Sequence, residues 1–523
     1  MPAKDRPFPT LPSLVSIFVT LYLLLLCWSL AWGLYYSINW PLNSDAAIMH
    51  YVAWRILNGA IPYRDIFEND PPGAYLLHMF CITVFGRGDL AFRLFDLFFC
   101  ALSAIGFMAL GWNRSRRFAI AGALLFTVCH LSEGPLNMAE RDFLMVPFLL
   151  FATYSLRVFL NSPKKNIPLF IFGLLTGYAF WIKPFAGMFV AMSVMVLMVK
   201  IQPVAQKIKA LVAIGVGMLL PAVCILAWLY TLPGALPAFW DIAIHFWPVY
   251  ANLQPFDYRQ TANLIVKGIL YFGGPLLYIF GYGGTRIAPT DKTLLIIGVA
   301  YGIFHYLVQG KNLSYHAYPF FAFMVLYSVW VVPVLRGLFW EKIILHAALL
   351  WLIISYGSYN APSINNLERF SAKIPDLTSI WLPQLKEDTD NALQHVPATI
   401  REPYLLKNPH QAVDFMGTAS GQLWSAAYRY GWVNPCRHIF AFPLLDISHS
   451  TYMDKLAQEM FHDLSTVKPL VIIINSRSWP YEDHLVYNAI DTHQPWKDFF
   501  AENYILTKET AGYKAYRVYA RIQ

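Results

Sequence analysis

Between the apolar run Leu11–Tyr36 and the next one lies a loop, Ser37–Gly73, crowded with groups that can do chemistry. Asn43-Ser44-Asp45 precedes Ala46–Leu57, whose apolar residues suit a helix lying along a membrane interface. Ser44 or Asp45 would cap that helix. Asp45 is also a carboxylate able to take a proton from an attacking hydroxyl, and the two roles are compatible. Further along stands Glu68-Asn69-Asp70-Pro71-Pro72-Gly73, where paired prolines set an extended turn that returns the chain to the membrane. Glu68 and Asp70 read either as solvated loop acids or as substrate ligands. Glu140 and Asp142 bracket Arg141 at the start of an apolar run. They form either a cap with an internal ion pair or a site for a substrate or a divalent cation. Lys183-Pro184 has apolar runs on both sides and little polar loop. An ammonium there needs a partner: it snorkels to the interface or it holds a phosphate. Lys311, Tyr315 and His316 make a second basic and hydrogen-bonding cluster. His245 and Arg259 lie in the loop Leu232–Thr261, where isolated His and Arg are more often structural.

The elements that must position these residues are apolar. Eleven runs read as membrane spans: Leu11–Tyr36, Asp89–Trp112, Phe118–Leu131, Phe143–Leu160, Ile167–Ile182, Phe185–Val199, Ala210–Thr231, Ala262–Phe280, Thr293–Val308, Ala317–Leu335 and Ile343–Tyr356. Ala74–Phe85 is short and close to its successor, and reads as a hairpin or an extension of the second span. With the N-terminus in the cytoplasm, the inner loops carry Lys4/Arg6, Arg114/Arg116/Arg117, Lys164/Lys165, Lys200/Lys207/Lys209, Arg286/Lys292 and Arg336/Lys342. That is the basic bias expected of cytoplasmic loops. Asp45, Glu68, Asp70, Glu140, Asp142, Asp241 and Asp257 then face outward, and an odd span count puts the C-terminal region outside too.

Composition agrees. The chain has 523 residues, 57% of them hydrophobic and 13% charged, more apolar surface than a soluble domain could hide. Its net charge of +8 resides in the part before about Tyr359, so it reads as topology rather than nucleic-acid binding. Residues 359–523 have soluble character. Leu470–Ile474, Tyr504–Thr507 and Tyr513–Tyr519 read as strands and Trp496–Phe500 as helix, which makes a small α/β domain. The six cysteines show no metal or disulfide spacing and read as small core residues. No phosphate-cradling GxxxxGK[ST], dinucleotide GxGxxG after a strand, CxxC or HExxH occurs, which argues against nucleotide and zinc-protease chemistry.

Taken in order, these motifs resemble the GT-C superfamily of membrane glycosyltransferases, close to its bacterial protein-mannosyltransferase-like and aminoarabinose-transferase-like branch. The resemblance runs over about Leu11–Leu335. It is carried by Asp45, then Tyr63-Arg64-Asp65, Pro71-Pro72-Gly73, Phe85-Gly86 with Arg93, Glu140-Arg141-Asp142, Gly173–Gly177 before Lys183-Pro184, and Tyr315-His316 with Pro319. Many relatives have a basic residue just before the proline pair. Here Asn69-Asp70 stands there, so the resemblance assigns no phosphate contact at that point. It implies a polyprenyl-phosphate sugar donor and transfer, usually inverting, to a lipid, glycan or protein acceptor at the outer face of a bacterial inner membrane. Asp45 would be the general base. Lys183, with Arg141 or Lys311, would hold the lipid phosphate, and the loop residue Arg259 is a further phosphate-binding candidate beside the resemblance. Glu68, Asp70, Glu140, Asp142, Tyr315 and His316 would bind substrate, with Glu140 and Asp142 the candidates for a divalent cation. A flippase for a lipid-linked sugar, an oligosaccharide ligase or polymerase, and a non-catalytic assembly partner remain open beside this reading.

Overall fold

The computed structural model describes residues 14–163, 165–252, 262, 287–310, 313–331, 380–416, 422–441, 450–478, 481–511 and 515–523. Lys311, Arg259, Ile343–Tyr356 and all but the first residue of Ala262–Phe280 lie outside them.

The membrane part is helical because long Leu/Val/Phe-rich runs leave the backbone no partner except itself. It comprises α1 (Leu14–Ser37), α2 (Ser44–Leu57), α3 (Pro72–Phe85), α4 (Asp89–Gly111), α5 (Arg116–Ser132), the single turn α6 (Arg141–Leu144), α7 (Val146–Asn161), α8 (Ile167–Ile182), α9 (Ala186–Lys200), α10 (Val204–Thr231), the short α11 (Ala235–Asp241) and α12 (Trp247–Asn252), α13 (Pro289–Gln309) and α14 (Tyr318–Val331). Among the described residues, five segments are long and apolar enough to cross a bilayer: Thr20–Ser37, Asp89–Gly111, Arg141–Asn161, Val204–Thr231 and Pro289–Gln309. Three shorter apolar helices accompany them: Pro72–Phe85, Ile167–Ile182 and Ala186–Lys200.

The 74–85 run corrects the sequence reading. It is a helix of its own, α3, cut from α4 by Gly86 and Gly88 at φ +92° and +112°. Both its ends lie on one face of the bundle. Asp70 at its start belongs to the candidate site, while just past its end Asp89 accepts from Leu42 N at 3.1 Å. It therefore adds no crossing to the count. The cysteines also divide: Cys81, Cys100, Cys129 and Cys436 are buried, whereas Cys27 and Cys224 lie on exposed helix faces.

Glycines set the closest helix approach. A Cβ on Gly173, Gly177 or Gly217 would stand 2.2, 2.8 or 2.2 Å from backbone of the partner helix, so α8 and α10 meet nearly backbone to backbone. At the face away from α2 and α3, Asp291 accepts from Arg114 Nη2 at 2.6 Å and from Arg157 Nε at 2.7 Å. Arg114 and Lys200, both expected on inner loops, thus meet the start of α13, where Lys200 Nζ donates to Thr293 Oγ1 at 3.0 Å.

The C-terminal part is an α/β unit. Its helices are α15 (Leu382–His395), α16 (Ala398–Lys407), α17 (Gln422–Tyr430), α18 (Thr451–Val467), α19 (Val486–Thr492) and α20 (Gln494–Asn503). Its strands are β1 (Val413–Met416), β2 (Val471–Asn475), β3 (Arg477–Ser478), β4 (Tyr481–Leu485), β5 (Tyr504–Glu509) and β6 (Tyr516–Arg521). The main sheet has order β1-β2-β6-β5, with β1 and β2 parallel and the other pairs antiparallel. Its middle strand β2 is fully buried, as a run of β-branched residues requires. This unit sits on the loop between α1 and α3: Arg55 Nη1 donates to Asn434 O at 3.1 Å, and Arg87 lies over both Trp54 and Tyr428.

Candidate active site

Three turns with strained backbone deliver the acids. Ser44, Tyr63 and Ala139 have φ of +60°, +66° and +48°, a region costly for residues with a Cβ. Ser44 directly precedes Asp45, and Ala139 directly precedes Glu140. Tyr63 opens the loop that holds Glu68 and Asp70.

Asn43, not Ser44 or Asp45, caps α2: its side chain accepts from Ser44 N at 2.8 Å. The Asp45 carboxylate is thereby left for other work, and Tyr315 Oη donates to its Oδ2 at 2.7 Å. Glu140 occupies the N-cap position of α6 without using its side chain there. Its carboxylate instead accepts from Ala46 N of α2 at 3.3 Å, which ties the two turns together. Burial, with Asp45 and Asp142 close by, pushes the Glu140 carboxyl well above the usual carboxylate range.

Arg141 pairs with Asp70. Asp70 N donates to Glu68 Oε2 at 2.7 Å, and Tyr63 Oη donates to Asp70 O at 2.8 Å. Burial pushes the Glu68 carboxyl up to about 8 against the pull of Arg141. On the other side Lys183 Nζ donates to Asp142 Oδ2 at 2.6 Å and lies 6.0 Å from the centre of the Tyr315 ring. Burial lowers the Lys183 ammonium to about 8 despite Asp142. The Pro-Pro-Gly turn explains this proximity. A Cβ on Gly73 would stand 2.5 Å from Trp181 O, so only glycine lets α3 begin against the end of α8, two residues before Lys183. His316 is buried beside Lys183 and Asp142, and burial holds its imidazole well below its usual pKa.

Asp45, Glu68, Asp70, Glu140, Arg141, Asp142, Lys183, Tyr315 and His316 thus meet in one place. His245 stands apart: it is exposed, with its ring 5.6 Å from that of Tyr452. Sequence reasoning missed several partners. His305 binds the second Asp142 oxygen, Gln309 Nε2 reaches that oxygen at 3.4 Å, and Tyr301 Oη is 3.2 Å from His305 Nδ1. Their four-residue spacing along an apolar run was the available signal. Asp96 was missed as well. It pairs with Arg93, lies 3.0 Å from His130 Nε2 and accepts from Ala139 N at 2.8 Å, so it anchors the strained turn before Glu140.

The cation reading of Glu140 and Asp142 fits poorly, because Lys183 and His305 already occupy both Asp142 oxygens. Among the described residues, the group close enough for shared ligation is Asp96, Cys100 and His130, and there Asp96 is saturated by Arg93, His130 and Ala139 N. Other polar atoms lack partners. Glu140 Oε2, Arg141 Nε and His316 Nδ1 are buried with no hydrogen-bond partner among the described residues. Three such atoms in one site offer unused hydrogen-bonding capacity to a polar ligand.

Comparison with known proteins agrees with this architecture. Residues 69–230 match the dolichyl-phosphate-mannose-protein mannosyltransferase family. The structure is similar to that of ArnT from Cupriavidus metallidurans bound to undecaprenyl phosphate, with TM-score 0.56 and 13% identity over 96% of this chain and 98% of that one. It is also similar to the apo state of the same protein, with TM-score 0.52 and 12% identity over 97% and 98%. No curated protein matches the sequence. The family match covers residues 69–230, and the likeness to the two ArnT structures, at 13% and 12% identity, is one of fold.

Proposed function

We propose that this protein transfers a sugar from a polyprenyl-phosphate donor to an acceptor hydroxyl at the outer membrane face, inverting the anomeric carbon. One observation carries the reading: two cations, the buried Lys183 and the half-buried Arg141, stand on the same rim as Asp45, amid polar atoms that lack partners among the described residues. The undecaprenyl phosphate bound in the similar ArnT structure supports a lipid phosphate as the ligand.

Asp45 takes the acceptor's proton through the carboxylate that Tyr315 steadies at Oδ2. The acceptor oxygen bonds to the anomeric carbon as that carbon's bond to the phosphate oxygen breaks. A single displacement inverts the centre and releases polyprenyl phosphate. Lys183 and Arg141 stabilise the charge that gathers on the departing phosphate. Glu68 and Glu140, neutral where their carboxyls are pushed up, and His316 offer hydrogen bonds to the sugar or the acceptor. A flippase would need charges along the middle of its helices. Here Asp96, Asp142 and His305 all lie within a turn or two of the helix ends at the site, which favours transfer at a surface.

Mass spectrometry of lipids and glycans should show a species one sugar residue heavier in cells with the wild-type protein than in cells with Asp45→Asn. The variant should lose about 10²–10⁴-fold in rate. Equal glycans in both strains would end the proposal.

A further inference from the structure

The geometry points to Arg437, in the C-terminal unit, as a positioning residue for the phosphate-binding Arg141, acting through Tyr63 and Asp70. The inference rests on the reading of Arg141 given above.

Arg437 grips both ends of the strained turn at Tyr63. Its Nε and Nη2 donate to Tyr63 O at 3.2 and 3.1 Å, and its own carbonyl accepts from Phe67 N at 2.8 Å. The guanidinium also lies 5.3 Å from the centre of the Phe67 ring. Glu459 Oε2 receives Arg437 Nη1 at 3.0 Å and orients it from α18. Tyr63 is 2% exposed, so its φ of +66° is held by buried partners rather than by solvent. From the far side of the same residue, Tyr63 Oη donates to Asp70 O at 2.8 Å, and the Asp70 carboxylate pairs with Arg141. An unbroken line of polar contacts therefore runs Glu459, Arg437, Tyr63, Asp70, Arg141. It joins the polar C-terminal unit to a cation of the site, although Arg437 itself touches no site residue directly. A bidentate guanidinium grip on a carbonyl is a geometric device that lysine cannot reproduce.

Two variants test the line in the full-length protein, with undecaprenyl phosphate in lipid nanodiscs as probe. Tyr63→Phe removes only the hydroxyl, and Arg437→Gln removes the fork while keeping most of the side chain. Each should weaken undecaprenyl phosphate binding by about tenfold, the loss expected for one hydrogen bond tied to a charged group. In an Asp70→Asn background each should add less than about twofold, because the line is already cut. Arg437→Lys should not restore affinity. Full affinity in both variants, or losses that multiply with Asp70→Asn, would overturn the inference. Hydrogen–deuterium exchange judges the linkage apart from function: Arg437→Gln should raise exchange across 63–70 and also across 139–145. Faster exchange confined to the neighbourhood of residue 437 would refute it. Failure of the wild-type protein to bind undecaprenyl phosphate would instead refute the proposed function, and the exchange result would still decide whether Arg437 holds the site together.

Discussion

Glu68 and Lys183 bring two titrations to the same pH. Burial raises the Glu68 carboxyl to about 8 and lowers the Lys183 ammonium to about 8. Below that pH the first is neutral and the second is charged. Above it Glu68 gains a negative charge and Lys183 loses its positive one, so both changes act against an anionic ligand. Undecaprenyl phosphate affinity should therefore fall between pH 7 and pH 9, and Glu68→Gln should keep part of it, as a binding titration at both pH values would show. His305→Ala should cost several-fold in the same assay, but less than Lys183→Ala, because Gln309 still reaches the Asp142 oxygen that His305 vacates. The acids and Lys183 were legible in sequence because ionisable groups at the ends of apolar runs are expensive and need a reason. The Asn43 cap was not. Asn43, Ser44 and Asp45 are all good caps, and only the coordinates show which side chain turns back to the helix.

At the level of elements, the site depends on close approaches. Gly73→Ala would press a methyl group against Trp181 O and part the start of α3 from the end of α8. The expected result is a loss of activity of about 10²-fold, as for an ångström's misplacement of catalytic groups, with the protein still folded by circular dichroism. The C-terminal sheet offers a separate test of its own packing. Asp414 in β1 is fully buried, and that burial raises its carboxyl to about 7, well above its value in an unfolded chain. The folded state then holds more protons than the unfolded state between about pH 4 and pH 7, so stability declines as pH rises through that window. Asp414→Asn should flatten the decline in melting temperature measured from pH 5 to pH 8. Three strands of this unit, β2, β5 and β6, were readable from the runs Leu470–Ile474, Tyr504–Thr507 and Tyr513–Tyr519, whereas β1, β3 and β4 were not. Their order was not, because pairing depends on contacts remote in sequence. The separate helix α3 escaped for a local reason: two glycines of positive φ break what hydropathy alone joins to α4.

Across the whole molecule, the C-terminal unit and the site share a face. Tyr452 Oη donates to Asp241 Oδ2 at 2.7 Å, Arg429 pairs with Asp89, and Arg437 holds Tyr63. The Arg114, Arg157 and Asp291 cluster lies at the other end. With Cys27 and Cys224 replaced, a membrane-impermeant maleimide added to intact cells should label His245→Cys and spare Lys209→Cys. The reverse pattern would put the site in the cytoplasm. The alternation of basic and acidic loops was legible at this scale as a predicted orientation, which the labelling experiment decides. The docking of the C-terminal unit was not, since its contacts join residues remote in sequence and one of them ends on a backbone carbonyl, which every sequence possesses.

Two cross-ties join the Arg141–Asn161 segment to α13: Asp142 with His305 near the site, and Arg157 with Asp291 at the opposite end. Asp142 and Arg157 lie fifteen positions apart, and Asp291 and His305 fourteen. At helical rise these are rungs roughly 22 and 21 Å apart on antiparallel rails of nearly equal length. The pair works as a gauge. Deleting one residue from either rail between the rungs shortens it by about 1.5 Å and rotates everything beyond by about a quarter-turn, so both rungs cannot then close at once. The tie remote from the chemistry thereby sets the register in which His305 meets Asp142.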